Sequence, residues 1–209
     1  MYINSKTIND AWSRILNLIW YSGYELKSER GLTKEIHNLM VRVQEPFDKR
    51  IDGFPMSQEE LKKYAQQLLS PDKYGFEYTY GERLRGWGSD IIEKPIDQID
   101  YITKKLKSNK NSRRAIAVTW IPSVDTNRVE VPCLILTDFI IRKKKLHLTT
   151  VFRSNDMFGA WPANIYGLNN LNHYVAKKLK FKAGSVTTLS ISAHIYKHDW
   201  KNVREILKV

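Results

Sequence analysis

Apolar and polar positions along this chain follow two periods. Ile8, Trp12, Ile15, Leu16 and Ile19 recur at helical spacing, which predicts a helix over 7–22 stopped by Gly23. Ser57 followed by Glu60 is a capping-box signature, and Leu61, Tyr64, Leu68 and Leu69 give the helix behind it a buried face through Leu69. Pro95 is placed to open a third helix at its first position, with Ile99, Ile102 and Leu106 on one side. Ile165, Leu168, Leu171, Val175 and Leu179 point inward from a long helix over 163–179, and Asp199 caps a short last helix ending at Leu207. High β-propensity and period-two runs predict strands at 36–43, 114–120, 133–142, 145–153 and 185–197. Pro46 ends the first strand, and Lys143–Lys144 turn a hairpin although neither is a favoured turn residue. Asp52, Gly53 and Pro55 mark a turn, and the aromatic, glycine-dotted stretch from Tyr74 to Trp87 reads as a loop. The mixture of elements is α+β. No repeat, low-complexity tract or linker divides residues 1–209, so one domain is expected.

Composition narrows the function classes. A chain of 209 residues with 42% apolar content can bury a core without staples. No run approaches a membrane span, and the N-terminus lacks the order of a signal peptide. A single cysteine cannot close an internal disulfide, which points to a reducing, cytoplasmic setting. With five scattered histidines it also argues against a structural zinc site. The net charge of +12 invites anionic partners, nucleic acid or a phosphorylated small molecule. The lysines are diffuse and no nucleic-acid motif is present, which weighs against nucleic acid.

The candidate chemistry centres on that cysteine. Cys133 follows Pro132 at the head of a strand and reads either as a nucleophile or as a small buried hydrophobe. A nucleophile needs a lowered thiol pKa, and Arg153, at the end of the next strand of the hairpin, is the cation to supply it. In 185–197, period two puts Ser190, Ser192, His194 and Tyr196 on one face, where an imidazole and a phenol can bind a sugar hydroxyl. Asn164 reads as a helix cap or as an amide matched to a base edge, and Asp156 as surface, cap or ligand. Arg113 and Arg114 would point to opposite faces of a strand, so one of them is free to serve a partner subunit.

Five runs in order resemble the thymidylate synthase family: Y-T-Y-G-E-R-L-R-G-W, N-S-R-R-A-I-A-V-T-W, V-P-C, R-S-N-D-M-F with P-A-N-I, and A-H-I-Y, together spanning roughly residues 78–198. The short length is similar to that of the compact archaeal-type branch, and pyrimidine hydroxymethylases share the scaffold. The resemblance implies a three-layer α+β subunit with a mixed sheet flanked by helices, dimerising through the sheet face. It implies a methyltransferase that converts dUMP to dTMP with a methylene-tetrahydropterin, either tetrahydrofolate or a methanopterin relative. By the same resemblance Cys133 would add to C6 of the pyrimidine and Tyr80 would assist proton removal from C5. Arg153, Ser154 and, by a looser match, Arg30 would hold the phosphate, with Arg113 and Arg114 donated across a homodimer interface. Asn164 would read the uracil O4 and N3, His194 and Tyr196 the deoxyribose 3′-hydroxyl, and Asp156 the pterin.

The chain departs from the family pattern in three places. The helix before the Tyr-Gly element carries Gln66 or Gln67 where the family has a catalytic glutamate, leaving Glu59, Glu60 or Glu35 as substitutes. The chain stops thirteen residues after Tyr196, without the family's long C-terminal lid. Asn155 replaces the usual cysteine beside the phosphate serine, and Leu134 follows the nucleophile in place of the usual residue. The alternatives that remain open are hydroxymethyl transfer on the same scaffold and a catalytically weak nucleotide- or RNA-binding relative.

Overall fold

A computed structural model describes residues 1–47, 51–88 and 92–209. Among these, seven strands make one mixed sheet: β1 (Tyr2–Ser5), β2 (Tyr24–Ser28), β3 (Gly31–Val43), β4 (Ile116–Val118), β5 (Leu134–Arg142), β6 (Lys145–Asp156) and β7 (Lys182–Tyr196). The order is β1-β3-β7-β6-β5-β4, with β2 paired to the first half of β3. β1 runs parallel to β3, and β6 parallel to β7; the other pairings are antiparallel. The helices are α1 (Ile8–Ser22), α2 (Gln58–Leu69), α3 (Tyr80–Arg85), α4 (Gln98–Ser108), α5 (Pro122–Asp125), α6 (Trp161–Leu179) and α7 (Trp200–Leu207). α1 packs on β3 and α6 on β6 and β7, with α2 and α4 against α6 and α7 against α1.

One sheet face, carrying Leu39, Val41, Leu146, Leu148, Phe152, Phe139 and Val186, is sealed beneath these helices. The opposite face alternates with it. There Met40, Val118 and Ile191 are 37%, 44% and 46% exposed.

The predicted helices and the hairpin are present, with differences that have local causes. Ser57 accepts from the Glu60 amide while the Glu60 carboxylate accepts from the Ser57 amide, the expected capping box. Lys143 and Lys144 both adopt positive φ, 47° and 60°, and β5 and β6 pair across them. α4 starts at Gln98, not Pro95, because Asp97 accepts from the Asp100 amide at 2.9 Å and supplies the cap. Asp199 precedes α7 but its side chain makes no capping bond. The strand expected at 114–120 shortens to Ile116–Val118.

The stretch expected as a loop contains α3. Thr79 caps it by accepting from the Glu82 amide at 3.0 Å, and six residues are too few to show periodicity. α3 is pressed onto the end of α2, where a Cβ at Gly81 would lie 2.0 Å from the Gln67 carbonyl oxygen. A buried ion pair fixes its other side: Arg83 donates to Asp125 at 2.8 and 3.4 Å, with side chains 2% and 0% exposed.

The in-out alternation breaks along one row of the sheet. Asn38 on β3 has φ 54°, between the pairs Leu39–Ser190 and His37–Ser192. On β7, Ser190 is fully buried, Ile191 exposed, and Ala193 and Ile195 buried again. On β5 the register to β6 shifts between Leu134 and Leu136. This irregular row bends the strands next to Cys133 and Arg153, the usual use of a bulge beside a site.

Candidate active site

Cys133 stands at the entrance of β5, where burial is incomplete, and its sulfur is free. Its carbonyl accepts from the Arg153 amide at 2.8 Å, so the β5–β6 pairing itself brings the two residues together. The Arg153 guanidinium is clipped to the chain ahead of the thiol, donating to Pro132 O and Val131 O at 3.0 Å each. Two of its five N–H groups are used there. Burial pushes the Cys133 thiol above its ordinary 9.0, and Arg153 and then Arg30 pull it back in part. The sequence led us to expect an activated, lowered thiol. Desolvation outweighs the cations.

Arg30, in the turn between β2 and β3, also acts on the thiol. Its Nη2 lies 2.5 and 2.6 Å from the two carboxylate oxygens of Glu130, which also acts on the thiol. Arg113 and Arg114 are exposed ahead of β4, and neither is among the charges acting on Cys133. They are not brought to the site within this subunit.

Three tyrosines wall the site. Tyr80, at the start of α3, accepts from the Leu134 amide at 3.3 Å, so its own proton is available to another group. Burial first, and then Tyr64 and Cys133, hold its phenol well above the ordinary range. Tyr78 donates to Val131 O and is pushed up to about 12 by burial. Tyr64 projects from α2 and donates to Asn164 Oδ1 at 2.5 Å. These three, with Gln67 and Glu130, line a cavity of about 500 Å³. The best-aligned glutamine, Gln67, thus faces the cavity, while Gln66 is exposed. Glu59 pairs with Lys63 on the surface and Glu60 is spent in the capping box, so neither replaces the family glutamate there.

Asn164 is not a helix cap. It sits in the first turn of α6, 6% exposed, and its own amide N–H donates to Ala160 O. Its Nδ2 donates to Asn155 Oδ1 at 3.4 Å, and Asn155 Nδ2 donates to Ser190 Oγ at 3.1 Å. Ser190 therefore leaves the face on which strict alternation put it. Ser154 remains half-buried and pairs with Ser192 across β6 and β7.

His194 is 5% exposed, with its ring 4.8 Å from that of Tyr196. Burial lowers the imidazole pKa against the opposing pull of Asp156 and Glu35, which favours the neutral ring. Tyr196 senses Asp156, Arg30, Cys133 and Arg153, which ties this end of β7 to the thiol. Glu35 lies at the histidine end: it accepts from Ser192 Oγ at 2.9 Å and meets His37 at 2.9 Å. One carboxylate oxygen of Asp156 accepts from the Phe158 and Gly159 amides at 3.0 Å each, holding the group in place. Such an oriented acceptor fits the amino and ring N–H donors of a pterin.

Tyr64, Tyr78 and Glu130 were not singled out from the sequence. Tyr64 counted there only as an apolar contact, and Glu130 lies in a segment with no period. The one signal for Tyr64 was its place three residues before Gln67, on the same helix face.

A half-buried cysteine flanked by guanidinium groups, phenols and an amide chain beside a mixed sheet is a candidate site for nucleophilic chemistry on an anionic ligand. Residues 13–209 match the family model described as thymidylate synthase. A protein of Methanosarcina mazei is 51% identical over 209 residues, covering 99% of this chain and 94% of the relative. One of Methanothermobacter marburgensis is 39% identical over 99% of this chain and 97% of the relative, and one of Methanopyrus kandleri 33% identical over 95% and 94%. All three carry the name "Putative thymidylate synthase". The chain belongs to the thymidylate synthase family, whose members are methyltransferase-type enzymes that generally use a methylene-folate-type co-substrate.

Proposed function

We propose that the chain, as one catalytic domain over residues 1–209, is a thymidylate synthase acting on dUMP. The observation that carries this reading is the convergence of Arg153 and Arg30 on Cys133, beside a cavity walled by Tyr64, Tyr78 and Tyr80. A phosphate dianion held by Arg153, Arg30 and Ser154 would form charge-assisted hydrogen bonds that carry the pyrimidine to the thiol. Cys133 would then add through sulfur to C6, placing negative charge on O4 and C5. The Asn164 amide would donate to O4 as that charge grows. A proton must leave C5 after the new carbon–carbon bond forms, and Tyr80, with its proton uncommitted, is the candidate to relay it. Neutral His194 and Tyr196 offer a donor and an acceptor to the 3′-hydroxyl.

Asp156 would hold the reduced pterin, folate or a methanopterin relative, which supplies the one-carbon unit and, for a methyl product, the hydride. The same reading makes the protein a cytoplasmic homodimer. Its support is the set of exposed apolar side chains Met40, Ile116, Val118 and Ile191 on the open sheet face. Arg113 and Arg114 would then reach the nucleotide bound by the neighbouring subunit. Among the described residues no helix is long and apolar enough to cross a membrane.

Hydroxymethyl transfer keeps one observation in its favour: α2 offers the cavity a phenol and an amide where the family has a carboxylate. Product analysis separates the two. With dUMP and a methylene-pterin we expect dTMP; a hydroxymethyl nucleotide without dTMP would select the second reading.

A further inference from the structure

We infer that Tyr64 is a specificity-determining positioning residue, which fixes the amide orientation of Asn164 and so decides which pyrimidine the site accepts. The inference rests on the pyrimidine-nucleotide reading above and extends it to a residue on α2 that the family pattern does not assign.

A uracil edge offers a donor at N3 and an acceptor at O4; a cytosine edge offers an acceptor at N3 and a donor at N4. One asparagine amide can match either edge, because turning it by 180° exchanges Oδ1 with Nδ2. An amide free to turn discriminates poorly. Here both ends of the Asn164 amide are engaged. Oδ1 receives the Tyr64 hydroxyl at 2.5 Å and Nδ2 donates to Asn155 Oδ1, which is itself anchored on Ser190.

The bond length assigns the direction. An O–H···O bond occupies about 2.5–3.0 Å, whereas N–H···O bonds lie at about 2.7–3.2 Å, so 2.5 Å fits a phenol donating to a carbonyl oxygen. In the turned amide Nδ2 would face the phenol oxygen, and the Tyr64 proton would lose its acceptor inside a buried site. An acceptor at Oδ1 and a donor at Nδ2 is the set that uracil requires.

The test is calorimetric binding of dUMP and dCMP to the full chain and to its Tyr64→Phe variant, with thermal unfolding as the check on folding. The wild type is expected to prefer dUMP, and Y64F to lower the dUMP-to-dCMP affinity ratio by about ten-fold, the worth of one hydrogen bond. Should Y64F not fold, Asn155→Leu removes the acceptor at the other end and is expected to lower the same ratio. If the folded variant weakens both nucleotides equally, Tyr64 only packs and the inference fails. If the wild type binds both equally, the inference fails while the nucleotide reading stands. If the wild type binds neither, both fail together.

Discussion

The thiol at position 133 is held between opposing terms: burial raises its pKa, and Arg153 and Arg30 lower it. The thiolate is the reactive form, so alkylation of the free protein by iodoacetamide should accelerate with rising pH up to and beyond 9.0. Arg153→Gln removes the largest lowering charge. It should move that midpoint further up and slow alkylation at neutral pH by roughly ten-fold. An unchanged midpoint would show that Arg153 does not act on the sulfur. Cys133, Arg153, Asn164, His194 and Tyr196 were legible as candidates because each has chemistry its neighbours lack. Tyr64 was not, since a tyrosine at helical spacing looks like core, and only its partner, a hundred residues away, reveals the hydroxyl's use. Glu130 was hidden for the same reason: its partner Arg30 is also a hundred residues distant.

Among the elements, the long helices and the β5–β6 hairpin were readable because periodicity persists over many residues. β1 and β2 were missed, being four and five residues long. Ser192, His194 and Tyr196 share one face of β7 as period two predicts, whereas Ser190 was misassigned, because strict alternation does not survive the irregular row at Asn38. α3 was lost among glycines and aromatics, yet it carries Tyr80. Its anchorage depends on Arg83 and Asp125, both almost fully buried. Asp125→Ala removes the carboxylate that Arg83 donates to and leaves only Glu82, 3.4 Å from Nε, beside the guanidinium, and a loss of about 3 kcal/mol is expected in urea unfolding. A loss under about 1 kcal/mol would mean that water or a neighbour replaces the carboxylate.

For the whole molecule the open sheet face is the telling feature. Met40 and Val118 share one row through Leu136, Val151 and Leu189, with exposed Ile116 and Ile191 in rows to either side, and family members are usually dimeric. Ile191→Glu would set a charge on that face. Light scattering should then report a monomer where the unaltered chain reports a dimer, with nucleotide turnover falling as Arg113 and Arg114 leave the second site. A monomeric unaltered chain would remove the shared-site arrangement. The fold class was legible from the mixture of periods, whereas the partner-facing surface was not. Ile116, Val118 and Ile191 look like core residues until the helices are seen to cover only the other side.

The central claim is that sulfur at 133 bonds to a pyrimidine ring whose phosphate the arginines hold. The most direct measurement is mass spectrometry of the protein incubated with 5-fluoro-dUMP and either methylene-tetrahydrofolate or its methanopterin counterpart. Fluorine at C5 blocks loss of the group that must leave there, so the intermediate is expected to persist as a covalent adduct mapping to the Cys133 peptide, absent from Cys133→Ser. A folded protein that forms no adduct with either pterin would contradict the account.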